Sequence, residues 1–267
     1  LLDIHANQAE GTTVFNEHFH DDGTLELVID RPPVNAFSIG LLHDLAARIE
    51  GVKDRPEVKV VVLRADGRGF CGGGDVKEVE GLPGFEGILG QSSGSMRLSL
   101  AVLHCAVPVV CGVHAYCVGA GVLIAGSADI LVASRDTRFV LAEIDNGATA
   151  GGVQALRLMP EKRVRAAMMT ADPVLAQELH ELGSIYRLVD THDEVAAAAL
   201  AIAAKVASKS PEAMRRLKVS LNNSTKAHEL MATYRAEMSY TYELNIMGEA
   251  SAGRTAFIEG KRESYNR

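Results

Sequence analysis

The stretch from Pro108 to Gly152 does most to limit what this chain can become. It opens on an unbroken apolar run, Pro108-Val109-Val110-Cys111-Gly112-Val113, which reads as a fully buried strand. The chain then turns through His114-Ala115-Tyr116-Cys117-Val118 into Gly119-Ala120-Gly121, and its small residues predict a helix from about Val122 to Ser127. A second apolar strand follows, Ile130-Leu131-Val132-Ala133, and the stretch runs on to Ala142-Glu143-Ile144-Asp145-Asn146-Gly147. A glycine turn that feeds a helix leaves bare N–H groups able to hold a negative oxygen. A carboxylate close by, Glu143, can move a proton.

An earlier segment repeats the arrangement of strand and glycine loop. Val58 to Leu63 reads as a buried β-branched strand. It leads into Arg64-Ala65-Asp66-Gly67-Arg68-Gly69-Phe70-Cys71-Gly72-Gly73-Gly74-Asp75, where five glycines let the backbone approach a ligand and turn N–H groups inward. Asp75 stands where it can cap a following turn. Residues 79–95 carry Gly81, Pro83, Gly84, Gly87 and Gly90, a density that predicts a mobile segment over or beside a site. A helix is expected from about Ser95 to Cys105.

Elsewhere the pattern is simpler. The first dozen residues are polar and expected to fray. Thr24 to Asp30 alternates like a half-buried strand, and Arg31-Pro32-Pro33 stops it. Leu41, Leu42, Leu45, Ile49 and Val52 fall on one helical face. Helices are expected over Val153–Met159, Glu161–Thr170 and Leu175–Leu182, then a short strand at Ile185–Val189. From His192 onward all reads as helix, with Ser210-Pro211-Glu212 supplying a cap and a first-turn proline. A long helix from about Thr225 to Met247 aligns Leu230, Tyr234, Met238 and Tyr242 in a stripe that suits either a subunit contact or packing within the chain. Strands with intervening helices, then helices alone, give an α/β core over residues 1–191 and a helical part over 192–267.

Composition removes several functions. A net charge of −7 and a pI near 5.7 argue against nucleic-acid binding, and with no Trp and few aromatics there is no base-stacking platform. The four cysteines form no C-x-x-C pair and read as reduced, buried thiols. His18, His20, His104 and His114 do not cluster as metal ligands, and no metal is expected. The opening residues do not read as a secretory signal and no apolar stretch is long enough for a bilayer, so a cytoplasmic protein without membrane contact is expected. Gly119-x-Gly121 lacks the third glycine of a dinucleotide fingerprint. Cys71 lacks an identifiable histidine partner for nucleophilic catalysis.

The two glycine loops, each after a buried strand, with Glu143 beyond the second, resemble the crotonase family, the enoyl-CoA hydratase/isomerase superfamily. The resemblance runs from Arg31-Pro32-Pro33-Val34-Asn35-Ala36 through Gly69-Phe70-Cys71-Gly72-Gly73-Gly74-Asp75, Val107-Pro108-Val109-Val110 and Gly119-Ala120-Gly121. It continues through Ala128-Asp129-Ile130 and Glu143 to Ala256-Phe257-Ile258-Glu259-Gly260-Lys261-Arg262. It implies a crotonase-like α/β fold: a right-handed spiral of ββα turns over residues 1–191, with a helical C-terminal trimerisation part over 192–267. It further implies an acyl-CoA thioester substrate, no cofactor beyond the coenzyme A of that substrate, and a homotrimer or homohexamer.

Roles follow from the same resemblance. The backbone N–H groups of Gly72 and Ala120 would hold the thioester oxygen as it becomes an enolate, and Glu143 would be the acid–base group. Arg68, Gly74 and Lys261 fall at CoA-binding positions, Arg68 reading either as a phosphate contact or as a solvated loop charge. Leu123 and Leu141 would line the acyl pocket, where apolar walls would raise the Glu143 pKa. Hydratases of the family with two glutamates carry the first at the position of Leu123, so the usual two-acid hydration lacks one partner here. Asp145 is either a second acid, if the segment is extended, or a turn residue. The family's usual glycine pair further on is altered to Val153-Gln154.

The resemblance implies an enzyme of the hydratase/isomerase type with one glutamate. A narrower likeness points to a ring-opening alternative. Gly67-Arg68-Gly69-Phe70, Leu123, Tyr234-Arg235-Ala236-Glu237 and Tyr242-Glu243-Leu244-Asn245 are similar to a hydrolase branch that opens a cyclic β-diketone CoA ester in bacterial steroid breakdown. An alternative of another class is a non-catalytic acyl-CoA-binding or scaffold protein, against which the retained Glu143 weighs.

Overall fold

The computed structural model describes residues 15–225 and 229–261. It begins with β1 (Phe15–Phe19), β2 (Thr24–Ile29), α1 (Ile39–Glu50), β3 (Val60–Ala65), α2 (Val76–Gly81) and α3 (Glu86–Leu103). Next come β4 (Val109–Val113), β5 (Tyr116–Val118), α4 (Ala120–Ser127), β6 (Ile130–Ser134) and β7 (Arg138–Val140). Then follow α5 (Gly152–Ala155), α6 (Glu161–Thr170), β8 (Val174–Leu175), α7 (Ala176–Glu181) and β9 (Arg187–Val189). The chain ends in helices α8 (Asp193–Ala207), α9 (Pro211–Ser224), α10 (Leu230–Ile246) and α11 (Glu249–Ile258).

Two sheets organise these elements. The larger has the order β1-β2-β3-β4-β6-β9, parallel except for the antiparallel edge strand β1, and the smaller has the order β5-β7-β8. Two successive turns of chain place one strand in the large sheet and the next in the small one: β4 then β5, β6 then β7. This is the α/β architecture of the crotonase spiral, with a helical C-terminal segment. Strands β2, β3 and β4 are buried on both faces, as their Val- and Leu-rich runs require. One face packs against α1 and α3, the other against α8, whose Val195, Ala199 and Ile202 meet Val60, Val62, Val110 and Val132.

Of the segment 79–95 expected to be mobile, only residues 82–85 lie outside a helix, and Gly87, Gly90 and Gly94 belong to α3. Helix α3 starts at Glu86, well before the expected Ser95. A Cβ on Gly87 would lie 2.2 Å from Val79 O, on Gly90 2.7 Å from Ile39 Cδ1, and on Gly94 2.9 Å from Leu42 Cβ. These glycines let α3 press against α1 and α2, so their function is close packing inside a helix rather than freedom in a loop. Asp75 caps α2, accepting from Glu78 N–H at 3.2 Å, and Ser210 caps α9 with Pro211 at its first position.

Of the helix expected over Thr225–Met247, Leu230–Ile246 is α10, Thr225 is the residue after α9, and 226–228 lie outside the described residues. The stripe on α10 resolves in favour of packing within the chain: Leu230, Tyr234 and Met238 are buried, and Tyr234 and Met238 join Leu123 and Ala150 in one apolar cluster. The opening dozen residues expected to fray and Arg262 of the C-terminal motif also lie outside the described residues. Among the described residues no helix is long and apolar enough to cross a membrane, and no group of three or more His, Cys, Asp or Glu gathers as a metal site.

Candidate active site

The first glycine loop is held from behind by the Arg31-Pro-Pro-Val-Asn segment. Asn35, 3% exposed and with φ of 53°, donates through Nδ2 to Asp66 O and Gly69 O, both at 2.8 Å, while its Oδ1 accepts from Arg31 N–H at 2.7 Å. Arg31 also pairs with Asp75 at 2.7 Å, so both ends of the loop are tied to one turn. Sequence reasoning gave Arg31 and Asn35 no role. Their partners lie more than thirty residues away, where no local pattern shows them.

The two glycine loops are stitched to each other. Cys71 N–H donates to Tyr116 O at 3.2 Å and Val118 N–H donates to Cys71 O at 2.9 Å, so Cys71 and Cys117 form a parallel bridge. This brings Gly72 beside the entry to α4. Ala120 is the first residue of that helix, so its N–H has no carbonyl within the helix to bond. Gly72 N–H faces Asn35 O at 3.4 Å, longer than an ordinary hydrogen bond. Both amides border one cleft of about 1020 Å³, part of it open to solvent. Gly121 is needed for the close approach: a Cβ there would lie 2.8 Å from Cys71 Cβ.

Glu143 follows β7 and reaches into the same cleft. Its main chain is pinned, because Asn146 and Ala148 both donate to Glu143 O at 2.9 Å. Although part of the residue reaches solvent, its Oε2 is buried and has no hydrogen-bond partner among the described residues. Burial pushes the carboxyl up to about 8; its own backbone N–H opposes the rise, and the negative charge of Glu237 adds to it. A carboxyl poised near neutral pH can both take and return a proton. It is not the solvated surface carboxylate that would merely cap a turn.

Leu123 is 3% exposed and packs with Ala150, Tyr234 and Met238 on the far side of the cleft. Of the two leucines expected at the acyl pocket, Leu123 borders the cleft, whereas Leu141 is buried in the main core and does not. The reason is strand alternation: Val140 and Ala142 belong to one cluster and Leu141 to the opposite one. Residues Ile144–Asn146 form a 3₁₀ turn, so the extended geometry that would align Asp145 with Glu143 does not arise, and Asp145 is not among the cleft residues.

Gly74 borders the cleft, whereas Arg68 and Lys261 do not. Arg68 is exposed on the first loop, and Lys261 pairs with Glu259 at 2.7 Å. Cys71 is no nucleophile: burial pushes its thiol up to about 12, against hydrogen bonds from the Gly73 and Gly121 backbone that act the other way. All four cysteines are buried free thiols.

Helices α10 and α11 supply the outer wall. Glu237 accepts from Gly151 N–H at 3.0 Å and Val153 N–H at 2.9 Å, and Thr149 donates to Glu237 O at 2.8 Å. These bonds clamp α10 onto the turn that follows Glu143. Tyr234, one turn earlier, borders the cleft with a phenol whose pKa is raised, chiefly by burial and then by Glu143. Gly147 and Gly253 allow α11 to lie against the 3₁₀ turn, since a Cβ on either would come within 2.4 Å of it or of Ala250. Arg254 closes the rim through a 2.7 Å pair with Glu80 of α2. Sequence reasoning missed Glu237 and Arg254 in these positions; the Tyr-Arg-Ala-Glu motif was the available signal for the first.

A family model described as enoyl-CoA hydratase/isomerase matches residues 20–267. The chain is 37% identical over 246 residues to the (7aS)-7a-methyl-1,5-dioxo-2,3,5,6,7,7a-hexahydro-1H-indene-carboxyl-CoA hydrolase of Rhodococcus jostii (strain RHA1), covering 92% of this chain and 95% of that protein. It is 35% identical over 239 residues to the hydrolase of the same description from Mycobacterium tuberculosis (strain ATCC 25618 / H37Rv), covering 90% of this chain and 96% of that one. A solved enoyl-CoA hydratase from Mycobacterium avium subsp. paratuberculosis K-10 superposes with a TM-score of 0.81 at 25% identity, covering 93% of this chain and 97% of its own.

Proposed function

The chain belongs to the enoyl-CoA hydratase/isomerase family and is an enzyme of that family; we propose that it hydrolyses a carbon–carbon bond in a cyclic β-diketone carried as a CoA thioester. The observation that carries this reading is a cleft lined by Glu143, whose Oε2 is buried, and by the apolar Leu123 where a second acid would be needed. The likeness to two hydrolases named for a dioxo-indene carboxyl-CoA supports it.

In this reading the N–H groups of Gly72 and Ala120 bind the thioester oxygen. The long Gly72 contact to Asn35 O gives way to a shorter, charge-assisted bond as negative charge grows on that oxygen. Ionised Glu143 takes a proton from water, and the resulting hydroxide adds to a ring carbonyl carbon. The adduct collapses to a carboxylic acid as the adjacent C–C bond breaks. The electron pair passes to the carbon conjugated with the thioester, and its charge rests on the oxygen in the oxyanion hole. Glu143, now protonated, returns the proton to that carbon. The water is thereby divided between the two halves of the opened ring, and one acid suffices because its two proton transfers are sequential.

The CoA lies, in this reading, across the first glycine loop, with Gly74 beside the thioester arm and Arg68 toward a phosphate. Lys261 is assigned to the nucleotide end. Residues 192–267 are assigned to the contacts of a homotrimer or homohexamer, with residues 1–191 as the spiral core. Light scattering that shows a monomer at micromolar concentration would remove the assembly. Unchanged CoA-ester affinity in Arg68→Ala and Lys261→Ala would remove both nucleotide contacts.

The single acid also fits double-bond isomerisation, in which Glu143 moves a proton between two carbons. A panel of crotonyl-CoA, a 3-enoyl-CoA and a cyclic β-diketone CoA ester decides. Mass spectrometry reports water gain, and chromatography separates ring opening from isomerisation. Fast hydration of crotonyl-CoA, with the diketone untouched, would reject the hydrolase reading.

A further inference from the structure

The inner face of α3 is polar where it borders the cleft. Gln91, Ser92 and Ser95 all border it, and Ser92 and Ser95 are each only 7% exposed. Gln91 Oε1 is buried with no hydrogen-bond partner among the described residues. Room for the Gln91 amide comes from Gly74: a Cβ there would lie 2.5 Å from Gln91 Nε2. Ser93, on the outer face, is exposed and donates to Gly90 O. The rest of the cleft wall is mixed: Val76, Val79, Ile88, Met238 and Phe257 are apolar, whereas Glu143, Asn146, Thr241 and Arg254 are polar.

A site that buries an unpaired amide oxygen is poorly matched to a plain hydrocarbon, because the amide then loses water and gains nothing. It is well matched to a ligand that brings its own oxygen to that wall. A primary amide and two hydroxyls can each donate or accept, so they fit a carbonyl oxygen or its enol.

We propose that Gln91, Ser92 and Ser95 form a specificity subsite for an oxygen atom carried on the acyl group away from the thioester, and hence that this enzyme selects oxo-substituted alicyclic acyl-CoA esters over hydrocarbon ones. The proposal deepens the hydrolase reading and rests on it for the kind of acyl group, but its test does not require ring opening.

The test measures binding by titration calorimetry with unreactive esters: cyclohexanecarboxyl-CoA and its 3-oxo and 4-oxo derivatives. The expected result is that at least one oxo ester binds about tenfold tighter than the parent, as a hydrogen-bonding subsite requires. Gln91→Leu should erase most of that preference by weakening the oxo ester and leaving the parent unchanged or improved. Ser95→Ala should act in the same direction with a smaller effect. Equal binding of all three esters to the wild-type protein overturns the proposal before any variant is made. So does a Gln91→Leu variant that weakens all three alike, since that would place Gln91 on the shared CoA portion. Preference for the oxo ester, together with a cyclic β-diketone CoA ester left unopened in the substrate panel, would uphold the subsite and reject the proposed reaction.

Discussion

Gly119 and Glu143 meet so closely that a Cβ on Gly119 would stand 3.1 Å from Glu143 Oε1. Gly119 also has φ of +50°, a conformation in which an L side chain is strained. The glycine at the mouth of α4 therefore serves two needs at once: it turns the chain into the helix and leaves space for the acid.

Gly119→Ala should lower stability by about 1–3 kcal/mol and should also displace the acid. The expected outcome is a drop in kcat larger than the change in CoA-ester affinity. Denaturant unfolding and steady-state kinetics on one preparation check both. An alanine variant with wild-type kcat would show that the acid tolerates being moved.

Glu143→Gln keeps the shape and removes the base. A fall in kcat of roughly 10²–10⁴ is expected, with CoA-ester binding nearly intact. Near wild-type turnover by the glutamine variant would reject the mechanism.

The same substitution should make the protein more stable at alkaline pH. The native Glu143 carboxyl titrates at about 8, whereas in the unfolded chain it titrates in the ordinary range near ~4.3. Between those values the unfolded state has given up the proton and the native state still holds it, so this group makes stability fall as pH rises. Glu143→Gln removes that penalty, and its advantage over wild type should grow between about pH 5 and pH 8 to the order of a few kcal/mol. Thermal or urea melts across that range test it; a constant difference would mean that the carboxyl is not buried in its neutral form.

Glu237 raises the Glu143 pKa through its charge and holds Gly151 and Val153 through its oxygens. Since the base must be ionised, kcat/KM should rise with pH to a plateau above about 8. Glu237→Gln keeps an acceptor and removes the charge, so the midpoint of that profile should move to lower pH. A merely structural role would lower kcat/KM at every pH and leave the midpoint where it is. That outcome would take Glu237 out of the proton chemistry.

The parts of this fold that the sequence reveals are those encoded locally. Val109 to Val113 and Val60 to Leu63 are strands because unbroken β-branched runs suit burial on both faces, and they lie where the pattern puts them. The two glycine loops and Glu143 are legible as short motifs that resemble those of the family, although Arg31, Asn35 and the parallel Cys71–Cys117 bridge that fix their geometry lie far away in the chain. Gly87 and Gly90 were misleading because a glycine that permits close packing and one that permits motion look alike in a sequence; only Val79 and Ile39 on the other side tell them apart. Tyr234 was legible as part of a buried stripe, but not as a neighbour of Leu123, since that contact spans helices far apart in the chain. Leu141 was displaced from its expected place by the single-residue alternation of a strand, which a position-by-position likeness does not resolve.

The cleft has two origins along the chain. Gly72, Ala120 and Glu143 are all in place by the end of β7 and its following turn, whereas Tyr234, Met238, Thr241, Arg254 and Phe257 come from α10 and α11. Part of the cleft wall is thus inherited through a separate stretch of the gene from Glu143 itself. Recombination that replaced the last two helices would exchange that part of the wall, and with it Glu237, while leaving Gly72, Ala120, the polar face of α3 and Glu143 in place. The interlocking glycines Gly147 and Gly253 set the compatibility rule for such an exchange: an incoming helix must leave those two surfaces bare, or it will not seat.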